Sequence, residues 1–284
     1  MPEASQAGQW ASAAAEQSRS VSGIVVLTPS ESKRLIGKGV AALPQVQAAM
    51  KRGRIIIANG STNAFVIEEV LGIKLDKAAY LTGNISSGKF AITRADLRQN
   101  PFLLVDGKQV QMRMSELLAQ FEAGDVFIKG ANAVDPQGRV GILLAGNAAG
   151  TIGSVMGTLV ARGSHLIVPV GLEKLVPDVL AASTKCGQKS LKYPAGATLG
   201  LMPLVTATVI TEIQALQVLT GVTATHVASG GVGGSEGSVV LVVEGTEEQV
   251  NQAFRLVEAI KGEPPVPNPV GNVNYYGPDF PAGA

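Results

Sequence analysis

The stretch from Arg54 to Gly72, RIIIANGSTNAFVIEEVLG, constrains the fold more than any other part of the chain. Arg54-Ile55-Ile56-Ile57-Ala58 is a β-branched apolar run, the pattern of a strand covered on both faces. Asn59-Gly60-Ser61-Thr62-Asn63 then supplies a turn former, a glycine and two hydroxyls. From Ala64 to Leu71, Phe65, Ile67, Val70 and Leu71 form the apolar side of a helix and Glu68 and Glu69 face water. Gly72 provides the stop. A strand that turns through Gly-Ser-Thr into a helix leaves backbone N–H groups unpaired, and the helix dipole adds positive potential there. Two readings follow. Either Asn59, Gly60, Ser61 and Thr62 cradle a phosphate or carboxylate, or Ser61 or Thr62 simply caps the helix.

The 284 residues suffice for one large domain or two smaller ones. A net charge of +1 and 4% aromatic residues leave neither the basic groove nor the stacking platforms that a nucleic acid needs. Residues 141–172 are the most apolar, but Asn147, Arg162, His165 and several glycines interrupt them before a bilayer is crossed. No basic segment followed by an apolar one opens the chain, so no secretory signal is expected. One cysteine, Cys186, excludes an intramolecular disulfide. With His165 and His226 the only histidines, no zinc site is expected, and no cofactor. A cytoplasmic protein that does not enter the membrane is the expectation.

In chain order, residues 1–22 form a flexible lead of Ala, Ser, Gln and Gly. Residues 23–200 read as an α/β domain. Gly23–Leu27 is a strand, and Thr28-Pro29-Ser30-Glu31 starts a helix. Lys77–Thr82 has strand-like composition. Residues 83–112 form an insertion placed to cover a site, with a hairpin tip at Val105–Val110. Asp125–Ile128, Val140–Leu144 and His165–Val170 are further apolar strands, and the alternation with helices predicts a Rossmann-like parallel sheet with helices on both faces. Ligands of such sheets sit beyond the C-terminal strand ends, which places Asn59–Asn63, Lys129–Asn132 and Gly146–Thr151 together. Residues 201–262 give strand (Leu204–Val209), helix, strand, glycine-rich turn, strand and helix, the pattern of a ferredoxin-like α+β domain. Residues 263–284 are a Pro- and Gly-rich tail containing Tyr275 and Tyr276.

Ala58-Asn59-Gly60-Ser61-Thr62, followed by Phe65 and Val66, resembles the phosphate loop of ribose-5-phosphate isomerase type A, Gly-Thr-Gly-Ser-Thr before a helix with Phe-Ile. Asp125–Asn132 is similar to that family's strand leading into Asp-Gly-Ala-Asp, and Leu144–Gly150 to its Lys-Gly-Gly-Gly-Ala loop. The order of elements agrees to about Gly262. The resemblance implies the wider fold of sugar-phosphate isomerases, coenzyme A transferases and their sugar-binding regulatory relatives. The departures are specific. Lys129 and Asn132 replace two aspartates, Ala145 replaces the catalytic lysine, and no glutamate follows Gly150-Thr151. Isomerisation by a carboxylate base does not carry over. Ser235-Glu236-Gly237 is a poor partial match to the transferases' Ser-Glu-Asn-Gly nucleophile.

The candidates that remain are few. Lys129 either neutralises an anion at the Ser61 loop or is a solvated lysine at a loop edge. Asn132 and Asn147 either hydrogen-bond a ligand or serve as turn residues, and Gly150 and Thr151 open the next helix. Glu173 and Lys174 follow a strand and form the best remaining acid–base pair, unless as sequence neighbours they point apart. Asp135, before Pro136, reads as a turn residue. The expected function is binding of a small phosphorylated or carboxylated metabolite by an oligomer of identical chains, with sugar-phosphate isomerisation or acyl transfer as its chemistry. The alternative is a non-catalytic sensor or assembly subunit that keeps the fold.

Overall fold

The computed structural model describes residues 20–146, 148–269 and 272–273. Asn147, Tyr275, Tyr276 and most of the N-terminal lead lie outside them. The fold is mixed α/β, built on a six-stranded mixed sheet. In chain order its strands are β1 (Val21–Leu27), β2 (Arg54–Ile57), β3 (Gly83–Ser86), β4 (Lys89–Thr93), β5 (Phe102–Val105), β6 (Lys108–Gln109), β7 (Val126–Ile128) and β8 (Ala133–Val134). There follow β9 (Val140–Leu144), β10 (His165–Pro169), β11 (Gly200–Leu204), β12 (Thr208–Ile210), β13 (Thr223–Gly230), β14 (Ser238–Gly245) and β15 (Asn272–Val273).

The main sheet has the order β12-β10-β7-β2-β5-β6. β2, β7, β10 and β12 are parallel, and β5 lies antiparallel to β2 with Ile57 opposite Phe102. Ile55, Ile56, Ile57, Phe127, Ile128, Ile167 and Val168 are wholly buried, as uninterrupted apolar strands require. The helix after β2 runs from Ser61 to Leu71 and ends at Gly72 in the left-handed conformation, where the sequence puts its stop. The hairpin tip is at Asp106-Gly107, both with positive φ.

Three placements differ from the expectation. Val140–Leu144 is not a strand of the parallel sheet but the centre of a small antiparallel one, β11-β9-β8. Leu204–Val209 does not join the C-terminal sheet. It divides into β11 and β12, the latter on the edge of the main sheet beside β10. The C-terminal sheet takes β1 instead, in the order β1-β14-β13. A short apolar run states that a strand exists and is silent on its partner. Lys77–Tyr80 is turn rather than strand. Among the described residues no helix is long and apolar enough to cross a membrane.

The helix Pro29–Ala42 joins the two regions. Capped by Thr28 and Glu31 in a capping box, it packs between the Ser61–Leu71 helix and the Glu212–Thr220 helix. Close approach on both sides needs glycine. A Cβ on Gly37 would lie 3.0 Å from the Phe65 backbone, and one on Gly39 would lie 2.7 Å from Ala215 Cβ. On the same helix Arg34 is buried among carboxylates. It donates to Glu68, to Glu69 at 2.9 Å and to Glu263 at 2.8 Å, and its guanidinium covers the Phe65 ring. Glu68 also accepts from Lys77 at 2.9 Å. Burial opposes its ionisation, yet the hydrogen bonds from Arg34 and Lys77 outweigh that and hold the carboxyl at about 2.

Arg34→Met leaves three carboxylates around an apolar side chain and should cost about 3–5 kcal/mol in urea unfolding. Lys38→Met, which removes a more exposed partner of Glu69, should change stability by about 0.5 kcal/mol or less.

Candidate functional site

Three loops leave their strands on one side of the molecule and enclose a cavity of about 380 Å³. The first follows β2. Ala58 N–H still pairs with Ile128 O at 2.9 Å, and Gly60 N–H donates to Tyr80 O at 3.1 Å. Tyr80 is fully buried. Its hydroxyl donates to Ile57 O at 2.6 Å and accepts from Phe102 N–H at 3.2 Å, fixing the loop against β2 and β5. Asn59 donates its side-chain amide to Gln99 O at 2.8 Å, which ties this loop to the insertion.

The second loop follows β7 and carries Lys129. Its Nζ has only long contacts, 3.5 Å to Asn59 O and 3.5 Å to Gly130 O. Asn132 Oδ1 accepts from Leu143 N–H at 3.0 Å, so that oxygen holds β9 and only the NH2 group remains for a ligand. The third loop follows β9 and enters the helix Gly150–Arg162 through Ala149, at φ 59°, and Gly150, at φ 53°. The Ala149 N–H donates to Gly146 O at 3.0 Å, which closes the turn ahead of the helix.

Both helices that open on the cavity lack a side-chain cap, since they start from Gly60 and Ala149. Thr28, Thr211 and Thr246 supply such caps to other helices of the chain. Among the described residues the buried Thr62 hydroxyl has no hydrogen-bond partner and the helix has no side-chain cap, so the helix-cap reading fails for both Ser61 and Thr62.

The structure brings Asn59, Gly60, Ser61, Thr62, Lys129, Asn132, Gly150, Thr151 and Lys174 onto one wall system. Of the ion-paired Glu173 and Lys174, only Lys174 lines the cavity. Lys174 donates to Ala131 O at 3.1 Å, whereas Glu173 sits behind it, 3.1 Å from Lys33 and 3.9 Å from Lys174. Asp135 is the turn residue expected, buried and accepting from the backbone of Gln137, Arg139 and Val179. The sequence reading missed Arg98, which comes to the cavity on the irregular chain between β4 and β5 and has a buried Nε without a partner. Its only signal is that it is one of four cations in the insertion expected to cover the site. That insertion also supplies the apolar wall, Phe90 and Ile92, opposite Ile142 and Leu144 from β9. No protein family model, curated protein or solved structure matches this chain.

The electrostatics are one-sided. Arg98, Lys129 and Lys174 line the cavity, and no Asp or Glu stands among the described lining residues. Burial and the neighbouring charge of Lys174 push Lys129 down to about 8. Burial also lowers Lys174, which Glu173 and Glu212 only partly offset. Burial opposes ionisation of Glu173, but Lys174 and Lys33 prevail and hold it below the usual range. Glu212 is completely buried next to it and accepts from Leu172 N–H at 3.0 Å. Burial first, and the Glu173 charge second, raise it to about 7. Among the described residues no cluster of three or more His, Cys, Asp or Glu could hold a metal.

Glu212 sets a pH dependence of stability. The folded protein holds its proton up to about pH 7, whereas the unfolded chain releases it near 4.5. The folded state therefore carries the extra proton between these values, and stability falls as pH rises through that window. Glu173, held low, acts only at more acidic pH. Glu212→Gln should flatten the decline of melting temperature between pH 5 and 7, about the interval separating the two values, in matched thermal scans.

Proposed function

We propose that the protein binds a small phosphorylated or carboxylated metabolite in the cavity between the Ser61 loop, the Lys129 loop and the β3–β4 hairpin. The observation that carries the reading is the convergence of Arg98, Lys129 and Lys174 on a wall with no carboxylate among its described residues. Two uncapped helix starts add oriented N–H groups and positive potential on the same cavity. Phe90, Ile92, Ile142 and Leu144 exclude water from the anion's carbon skeleton and strengthen its attraction to the cations. The ligand is thus a short molecule with an anionic end and an apolar or weakly polar body.

The kinship with ribose-5-phosphate isomerases and coenzyme A transferases belongs to this proposal, as do a Rossmann-like origin of the four parallel strands and a ferredoxin-like origin of the C-terminal sheet. The Gly60-Ser61-Thr62 loop, set between a buried strand and a helix, supports that ancestry. Isomerase or acyl-transfer chemistry would have to proceed without a carboxylate on the described wall, because Glu173 faces Lys33. Self-association of identical chains and a cytoplasmic setting complete the reading. Ile24 and Val26, apolar and exposed on edge strand β1, are the surface that supports association.

Thermal-shift titration with inorganic phosphate, ribose 5-phosphate and coenzyme A tests the site. A true ligand at one hundred times its Kd should stabilise the fold by about 2.7 kcal/mol. Arg98→Ala should weaken that ligand at least about tenfold, as expected for losing a hydrogen bond to a charged group. Equal shifts in the wild type and Arg98→Ala would rule out this cavity as the binding site.

A further inference from the structure

The two lysines of the cavity differ in their partners. Lys174 has Glu173 at 3.9 Å behind it and donates to Ala131 O, so its ammonium is anchored and compensated. Lys129 has no carboxylate within ion-pair distance among the described residues and touches only two carbonyl oxygens, each at 3.5 Å. It stands at the C-terminal end of β7, an interior strand of the main sheet, with its backbone N–H tied to Ile167 O at 3.0 Å. Strand pairing on both sides of β7 fixes its base, and Lys174 and Arg98 are the charges that share its cavity. An amine desolvated beside a second cation is the environment that makes lysine a nucleophile.

Resting on the anion-binding reading above, we propose that Lys129 forms an imine with the carbonyl carbon of an anionic oxo acid or sugar phosphate held in the cavity. Arg98 and the Ser61 and Gly150 helix starts hold the carboxylate or phosphate and thereby bring the carbonyl to Nζ. The neutral amine's lone pair attacks the carbonyl carbon, and a proton passes from nitrogen to the former carbonyl oxygen, giving a carbinolamine. Lys174 then donates a proton to that hydroxyl, which leaves as water, and the positive iminium remains on Lys129. Solvent reprotonates Lys174. No electrons are gained or lost, and no further reactant is needed. The lowered proton affinity of Lys129 keeps part of the amine uncharged near neutral pH.

The test is reductive trapping of the full-length protein with borohydride in the presence of pyruvate in one arm and ribose 5-phosphate in the other. Borohydride delivers hydride to the iminium carbon, so the adduct adds the mass of the carbonyl compound less one oxygen. The expected result is an adduct mapped by peptide mass spectrometry to Lys129, formed more slowly when inorganic phosphate is added. The arm that labels identifies the anion as carboxylate or phosphate. Lys129→Arg, which cannot form the imine, should lose the adduct. Phosphate stabilisation of the wild type without an adduct at Lys129, or with labelling spread over surface lysines, overturns the imine and leaves the anion site standing. Labelling at Lys129 that phosphate does not slow overturns the link between amine and anion site. Absence of both labelling and phosphate stabilisation removes both readings.

Discussion

The side chain of Asn63 holds the site together. It is wholly buried in the first turn of the helix after β2, and its amide donates to Ala58 O at 2.6 Å and to Ile128 O at 3.3 Å. Those carbonyls belong to the ends of two adjacent parallel strands, where ladder pairing stops and the chains diverge into different loops. One amide group thus fixes the distance between the Gly60-Ser61-Thr62 turn and Lys129. Its own Oδ1, and the hydroxyl of neighbouring Thr62, are buried without a partner among the described residues, each at a cost of about 1–3 kcal/mol. Of the seven buried side-chain polar atoms without a partner among the described residues, these two lie on the helix start and Arg98 Nε belongs to a residue lining the same cavity.

Charge is organised in two opposite ways within one molecule. Around Arg34, a single guanidinium is surrounded by Glu68, Glu69 and Glu263, and Arg34 and Glu68 are buried. Around the cavity, three cations share a concave wall, and Glu173, which pairs with Lys174 alone of the three, is set behind it. The first arrangement joins the Pro29–Ala42 helix to the Ser61–Leu71 helix. The second leaves positive potential facing a partly apolar space. Uncompensated charge of the kind Lys129 carries in such a space is structurally unfavourable.

The local devices of the fold were readable in the residues. Ile55-Ile56-Ile57 announces a buried strand, Thr28-Pro29-Ser30-Glu31 a capped helix, Gly72 a helix end and Asp106-Gly107 a hairpin. Each depends on a few adjacent side chains and their backbone preferences. Pairing partners were not readable. Val140–Leu144 has the composition of a parallel-sheet strand and lies in an antiparallel one, and Gly23–Leu27 gives no hint that it pairs with residues near the opposite end of the chain. Within the site, Gly60, Ser61, Lys129 and Thr151 could be named because strand exits follow from local pattern. Arg98 could not, since its position depends on how an irregular segment between β4 and β5 crosses the cavity mouth. Glu173 and Lys174 illustrate the same limit. Adjacent in sequence, they are turned to different surroundings by a short 3₁₀ turn.

The pairing of β1 with β14 has a consequence for synthesis. Val21 lies opposite Gly245 and Leu27 opposite Val239. As the chain emerges from a ribosome, Ile24 and Val26 wait with an open strand edge until residues up to Gly245 have been made. Contacts this distant slow folding, and a waiting apolar edge invites the wrong neighbour. The main sheet, complete once Ile210 is out, can form first and hold the Pro29–Ala42 helix in place. Its anchored start then presents β1 to the last hairpin as a template.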